Sequence, residues 1–283
     1  MHLLLPLFIT FLIGKCQIDS TNTEIRMTTN IMGKDSEKKI YVVTGGNRGL
    51  GLGLIKALLI RDNTTVIATV RNEHGISTIT DETKLVNKGL GSTLLITTLD
   101  FSTTLSLAKV RDAFKFDIDH IDILINNAGG APPMVPAAET TAEDLRTAFE
   151  VNTIAPLMVF QALWPLLQNS PSPKLVMITS SVGSIGEMEP VPGGAYGPSK
   201  AAQNWLTKAL HLENRDKGLV TIALHPGWVQ TRAGQFVADQ WGFASGPPDT
   251  IEASVDGMLK IIDEASQETS GRFITQKGQI LQW

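Results

Sequence analysis

One cysteine, Cys16, is all the thiol that the 283 residues contain, so an internal disulfide and a cysteine-based metal site are both excluded. Histidine is nearly as scarce. The five present show no HExxH-like spacing, and no metal is expected. The net charge is −4 and the basic residues are scattered rather than gathered into a stripe, which argues against nucleic acid as a partner. The apolar run from Leu3 to Ile13 falls short of the roughly 18 residues that a membrane-spanning helix needs. It has the length of a signal-peptide core, yet no Lys or Arg precedes it and no small-residue cleavage site follows. The polar stretch after it carries Met27 and Met32 just ahead of the first apolar strand pattern. Residues 1–37 therefore stand apart as an N-terminal extension. They read either as a dispensable tail or early start, or as a secretory or anchoring segment, which leaves membrane association open. A cytoplasmic location is expected, with the secretory pathway as the alternative.

What is present is a chain with 42% hydrophobic and 18% charged residues, enough for one sizeable core. From Lys39 onward the pattern is regular: KIYVVT, TTVIATV, STLLITTL, IDILIN, PKLVMIT and LVTIAL are short runs rich in Val, Ile and Thr, separated by stretches of helical period. Strands apolar on both faces that alternate with helices imply a parallel sheet covered on both sides. The expected fold is α/β, a doubly wound parallel sheet of the Rossmann type, in a single domain over residues 38–283. In such sheets the ligand lies beyond the carboxyl ends of the strands, so the residues that follow each run carry the functional reading.

After the first run comes TGGNRGLGLGLIKALL, with Gly45, Gly49 and Gly51 in a turn that opens into a helix. Glycines let backbone approach a pyrophosphate, and the helix start supplies free amides. The spacing TGxxxGxG differs by one residue from the GxGxxG fingerprint. After the second run, where an acidic residue would hold an adenosine ribose, the sequence reads ATVRNEH. Arg71 there would pair with a 2′-phosphate, and Arg48 in the glycine turn could reach the same group, so NADP(H) is expected over NAD(H). Two solvated arginines are the bland alternative. Asp100, after the third run, would either hydrogen-bond an adenine amino group or cap a helix beginning near Thr103. In INNAGG the amide of Asn126 would tie neighbouring strands together. HPGWVQT turns the chain at Pro226 and Gly227 and leaves Val229 and Thr231 facing the cleft.

The fifth run ends in ITSSVGS and is followed by YGPSK. Tyr196 and Lys200 are four residues apart at the head of a helix marked by Pro198, so they share a face. Alone, that pair reads as a packed ring beside a solvated charge. Ser180, Ser181 and Ser184 sit on the preceding loop. No Gly-x-Ser-x-Gly elbow is present, which disfavours serine hydrolysis.

The segments TGGNRGLG, NNAG, FEVNTIAP, SSVGS, YGPSK and HPGWVQT occur in that order at the expected strand ends. Together they resemble the short-chain dehydrogenase/reductase family over nearly everything from Ile40 to Trp283. The detailed wording is similar to fungal ketoreductases of the norsolorinic acid type and, more distantly, to sniffer-type carbonyl reductases. The resemblance implies a catalytic set of Asn152, Ser181, Tyr196 and Lys200, with Ser180 and Ser184 as alternates to Ser181. It implies cofactor contacts from Thr44, Gly45, Asn47, Arg48, Gly49, Leu50, Gly51, Arg71, Asp100, Asn126, Ala128, Gly129, Tyr196, Lys200, Pro226, Gly227, Val229 and Thr231. The implied reaction is reduction of a small-molecule carbonyl, a ketone or aldehyde such as a polyketide or aromatic ketone, with Tyr196 as proton donor. Lys200 would lower the phenol's pKa and grip the nicotinamide ribose, and Asn152 would bend its helix around a water chain. The loop GEMEPVP would shape the substrate pocket. Trp228, Phe236, Trp241 and Phe243 suggest an apolar, aromatic-lined pocket under a mobile segment, although aromatics at such spacing are more often core. A homodimer or homotetramer would form through the helix bearing Tyr196 and a neighbour from Asp144 to Leu167. The rival reading is a silent NADP sensor on the same fold; a nucleotide-sugar epimerase would need a larger C-terminal region.

Overall fold

The computed structural model describes residues 38–283; the readings of residues 1–37, Cys16 included, lie outside the described residues. The six β-branched runs become strands β1 (Lys39–Val43), β2 (Thr64–Val70), β3 (Thr93–Thr98), β4 (Ile123–Asn126), β5 (Lys174–Ile178) and β6 (Val220–His225). Two more were not read from the sequence: β7 (Arg272–Thr275), parallel to β6, and β8 (Ile280–Leu281), antiparallel to β7. β8, at two residues, is too short to display a period, and β7 lacks the apolar run that marks the equally short β4. All eight belong to one sheet of order 3-2-1-4-5-6-7-8, so residues 38–283 form a single doubly wound α/β domain. The mostly parallel sheet carries one antiparallel edge strand.

Helices α1 (Gly49–Leu59), α2 (Glu73–Thr83) and α8 (Ile251–Glu264) accompany one face. There Leu54, Ile55, Leu58 and Met258 pack on Tyr41, Val43 and Val66. Helices α3 (Leu107–Ala113), α5 (Ala155–Gln168) and α6 (Tyr196–Asn214) accompany the other. Val110, Val159, Leu163 and Leu210 there pack on Val42, Leu124 and Leu175. Alternate strand residues feed the two cores, as a sheet buried on both faces requires. β2 is buried at all seven positions.

The expected helix from Asp144 to Leu167 is interrupted. It consists of α4 (Ala142–Phe149) and α5 joined by a π-helical turn, Glu150–Ile154. The helix expected near Thr103 begins at Leu107, capped by Ser106, whose hydroxyl accepts from Lys109 N–H at 3.2 Å. Helix α7 (Arg232–Trp241) follows β6.

Parallel register aligns the carboxyl ends: Val43 pairs with Ala68 and Ile125, Asn126 with Met177, and Ile178 with Leu224. Thr44, Asn127, Thr179 and His225 therefore emerge along one sheet edge. The chain reverses its winding between β1 and β4, which places the topological switch point beside Thr44.

Candidate functional site

At that switch point Thr44 is fully buried, and its hydroxyl accepts the backbone N–H groups of Asn127 and Ala128, both at 3.0 Å. The Asn127 side chain donates to Thr44 O at 2.8 Å. These bonds fix the glycine turn against the end of β4. Gly45 and Gly49 have φ of +70° and +53°, the left-handed region that favours glycine. A Cβ on Gly51 would stand 2.2 Å from Gly45 O, so only glycine lets helix and turn meet. Arg48 is the N-cap of α1 but caps nothing with its side chain, and the first turn holds no acidic residue. The opening amides are left to an anionic ligand. Asn47 is half-buried and Arg48 exposed beside them, whereas the Leu50 side chain packs on the core and offers the turn only its backbone. Thr231 caps α7, accepting from Gly234 N–H at 3.1 Å, and its methyl lies 3.4 Å from where a Cβ on Gly49 would stand. Residues from opposite ends of the sequence thus wall one cradle.

Arg71 emerges after β2 and remains largely exposed; its Nε lies 3.8 Å from the carboxylate of Asp100, which follows β3. Asp100 caps no helix. Its carboxylate accepts Ser102 N–H and Oγ–H at 2.9 and 2.7 Å, closing a turn of its own. An uncapped helix start, three glycines, two available guanidiniums and no carboxylate in the turn fit a phosphorylated dinucleotide.

Asn126, fully buried, donates to Pro156 O at 3.1 Å and approaches Met177 Sδ at 3.4 Å. It ties β4 to α5 and β5, as expected of a structural amide. Asn152 lies within the π-turn, also fully buried. It accepts from Gly130 N–H and donates to Gly130 O, both at 2.9 Å, and donates to Ser199 Oγ at 3.0 Å. Ser199 in turn donates to Tyr196 O at 2.7 Å. Asn152 therefore holds the loop after β4 against the first turn of α6. A Cβ placed on Gly129 would lie 3.1 Å from Asn152 Oδ1 and 3.7 Å from Lys200 Nζ, so both groups converge on a backbone that glycine leaves open.

Tyr196 opens α6 and Lys200 follows one turn later. The ammonium lies 5.7 Å from the Tyr196 ring centre. Burial pushes the phenol up to about 12, against which a hydrogen bond with Ser180 works; part of the ring remains open to solvent. Burial also pushes Lys200 down to about 7. Desolvation of the phenol prevails, so Tyr196 is held protonated. Of the three serines it is Ser180, one of the alternates, that acts on the phenol, while its Oγ also accepts Val182 N–H at 3.3 Å. Ser181 instead gives its backbone N–H to His225 Nδ1 at 3.2 Å. Ser184 points away, donating to Gln282 O at 2.7 Å. Thr179 donates to Asn204 Oδ1 at 2.6 Å, and Asn204 donates to Gly183 O at 3.3 Å, which clamps the serine loop to α6.

The turn after β6 borders the same edge. Gly227 has φ +87°, and a Cβ there would strike Asp249 and Gln276 side chains at 2.4 Å. Pro226 O accepts from Ser254 Oγ at 2.6 Å, and buried Val229 bridges to Asp249. Trp228 packs edge-on against Trp241 and Phe243, with ring centres 5.7 and 5.2 Å apart. Trp241 Nε1 donates to Pro192 O at 3.0 Å, joining α7 to the loop 186–192. Phe236 stands outside this aromatic cluster and is more than one-third exposed.

Three residues at the site escaped sequence reading. His225 shows in the sequence only as one of five histidines without ligand spacing; its position directly before Pro-Gly at a strand end is the available signal. Gln203 and Gln282 carry no motif at all. Among the described residues no helix is long and apolar enough to cross a membrane, and no cluster of His, Cys, Asp or Glu could hold a metal.

With this geometry in view, residues 39–241 match the family profile described as short chain dehydrogenase. A short-chain dehydrogenase of Pyricularia oryzae is 39% identical over 88% of this chain and 100% of its own length. The norsolorinic acid ketoreductase of Aspergillus parasiticus is 34% identical over 93% of this chain and 98% of its own. The NADPH-bound carbonyl reductase from chicken fatty liver superposes with a TM-score of 0.73 at 30% identity, covering 87% of this chain and 100% of that one.

Proposed function

The chain belongs to the short-chain dehydrogenase family, and from that premise we propose that it is an NADPH-dependent reductase of a ketone or aldehyde, with an aromatic or polyketide ketone as the substrate class. The observation that carries this reading is the convergence of Ser180, Tyr196, Lys200 and Asn152 at the same sheet edge as the glycine cradle. NADPH, when bound, supplies the hydride. Thr44, Gly45, Asn47, Gly49, Gly51 and the backbone of Leu50 would hold the pyrophosphate, while Arg48 and Arg71 would pair with the 2′-phosphate. Gly129, Val229 and Thr231 would flank the nicotinamide half.

Tyr196, protonated because its phenol is buried, gives its proton to the carbonyl oxygen as that oxygen gains charge. Ser180 donates a second hydrogen bond to the same oxygen and steadies it. Once the proton has left, the phenolate faces the Lys200 ammonium, which stabilises it. Asn152 keeps the π-turn carbonyls and the loop at Gly129–Gly130 in place, a route by which solvent protons reach Lys200. The cluster of Trp228, Trp241 and Phe243, linked to Pro192, supplies an apolar wall that excludes water and suits a flat ring.

We read the working form as a cytoplasmic homodimer or homotetramer paired through α6 and the α4–α5 helices; Trp205 on α6 is 70% exposed and Ile154 in the π-turn 40%. The decisive experiment is Tyr196→Phe. The fold and NADPH binding survive, and carbonyl reduction falls at least about a hundredfold. Full activity in that variant on any ketone the unmutated protein reduces would remove the catalytic assignment and favour a silent nucleotide sensor.

A further inference from the structure

Lys200 is 4% exposed, and an ammonium so deeply placed needs polar partners. It has two: Ile178 O at 2.9 Å and the side-chain Oε1 of Gln203, also at 2.9 Å. Gln203 lies one turn further along α6, is 1% exposed, and is itself held. Its Nε2 approaches Met177 Sδ at 3.7 Å, and its backbone carbonyl accepts from Thr207 Oγ1 at 2.9 Å. The groups facing Lys200 from the neighbouring elements are Asn152 of the π-turn and the Ile178 carbonyl of β5. The titratable groups nearby are Tyr196 on the same helix and His225 at the end of β6, both uncharged at neutral pH. No carboxylate offsets the charge: burial alone accounts for the direction in which Lys200 is pushed.

We propose that Gln203 is a positioning residue that holds the Lys200 ammonium in place as a neutral acceptor, keeping it charged while leaving one of its three N–H donors free for the site. The choice of an amide follows from chemistry. A carboxylate at this position would pair with the ammonium and neutralise the field that the phenolate needs. An aliphatic side chain would leave a buried cation with one carbonyl, and the lysine would escape the cost by losing its proton. The amide provides direction without charge. This proposal rests on the reductase reading for its consequence in turnover, but the hydrogen bond and its effect on Lys200 stand without it.

The test therefore uses two readouts, one of them free of catalysis. The first is the melting temperature of the apo-protein against pH, with Lys200→Met as the reference lacking this titration. Lys200 takes up its proton at lower pH when folded than when unfolded, so the unfolded state binds more protons between about pH 7 and the ordinary lysine value. Stability must rise with pH across that window in the unmutated protein and not in Lys200→Met. In Gln203→Met the rise starts about one pH unit lower, since an acceptor of the charged form is lost. In Gln203→Glu it starts higher. The second readout is the alkaline fall of kcat/KM for reduction, which should move in the same directions, leaving Gln203→Met near normal at pH 6 and about tenfold down at pH 8. Superimposable thermal curves for the unmutated protein and both variants, or a loss of activity uniform in pH, overturn the proposal. If Gln203→Met fails to fold, Gln203→Glu decides alone: an upward shift supports the role, an unchanged curve removes it. Should Tyr196→Phe retain full activity, the reductase reading fails while the thermal titration still judges Gln203.

Discussion

Arg71 and Asp100 face each other across the ends of β2 and β3, with the guanidinium Nε 3.8 Å from the carboxylate. Burial pushes Asp100 up, but two bonds from Ser102 and the charge of Arg71 prevail and hold its carboxyl below the usual range. The pair is wide and exposed, so its own worth is under about 1 kcal/mol. Arg71 is therefore free to turn toward a stronger anion. Arg71→Asp should weaken NADPH binding by about ten- to a hundredfold, the scale of a lost charge-assisted hydrogen bond, and leave NADH binding equal or improved. Titrating both cofactors against protein fluorescence checks it. Preference for NADH in the unmutated protein would contradict the arginine reading outright.

The serine loop offers a sharper comparison. Ser180→Ala removes the hydroxyl that reaches Tyr196, so reduction should fall at least about tenfold, as for loss of a donor to a developing oxyanion. Ser181→Ala keeps the backbone N–H that bonds His225 and should cost less than about threefold. Steady-state kinetics on one ketone decide between them, and the reverse ranking would restore Ser181.

Much of this was legible in advance because it rests on local chemistry. The six apolar strand runs, the glycine turn and the Tyr196–Lys200 spacing each announce themselves within a few residues. The choice between Ser180 and Ser181 was not legible, since the two differ in the face they present at the end of β5 and a loop has no period from which to read a face. The bend at Asn152 followed from the family resemblance and not from the pattern itself, for a related reason: one extra residue in a helical turn leaves the apolar pattern of α4 and α5 nearly continuous. Contacts between distant segments, such as Gln282 with the serine loop, leave no sequence trace at all.

His225 adds a pH dependence. Burial holds it down to about 4 despite Asp249, which acts in the opposite sense. Between about 4 and the ordinary histidine value the unfolded chain binds the proton and the folded protein does not, so stability is present above that window and is lost as pH falls through it. The loss amounts to something on the order of 3 kcal/mol. A protonated ring also cannot accept the Ser181 N–H, so the serine loop loosens with it. His225→Gln, whose side-chain oxygen accepts without titrating, should flatten the acid side of the melting-temperature profile between pH 4 and 6.5. An unchanged profile would assign the acid loss elsewhere.

Trp205 stands 70% exposed on α6, with Leu212 two turns on at 54%. Large apolar side chains on the helix that carries Tyr196 mark a surface to be covered. Trp205→Glu should convert an oligomer to a monomer in light scattering at micromolar concentration without changing the apo fold by circular dichroism. A monomeric unmutated protein at that concentration would dismiss the pairing itself.

The segment after β8 holds the loop 186–192. Trp283 O accepts the backbone N–H groups of Ile185 and Gly186 at 3.1 and 2.8 Å, and Gln282 N–H donates to Glu187 Oε1 at 2.9 Å. The Trp283 ring stacks on Phe273 at 5.8 Å and takes the Lys208 ammonium at 5.9 Å. On its other side the loop is held by Trp241 through Pro192. A loop fixed from both sides sits in one place, and freeing one side should raise the cost of ordering it around a substrate. Trp283→Ala removes the stack and the cation–π contact while leaving the glycine cradle, β1 and α1 untouched. KM for a bulky aromatic ketone should rise by about tenfold, whereas NADPH affinity should stay within about twofold. A small aldehyde, which needs little of the loop, should show a smaller rise in KM. Equal losses for both substrates, or a matching loss of NADPH binding, would mean that Trp283 supports the fold at large and not the loop.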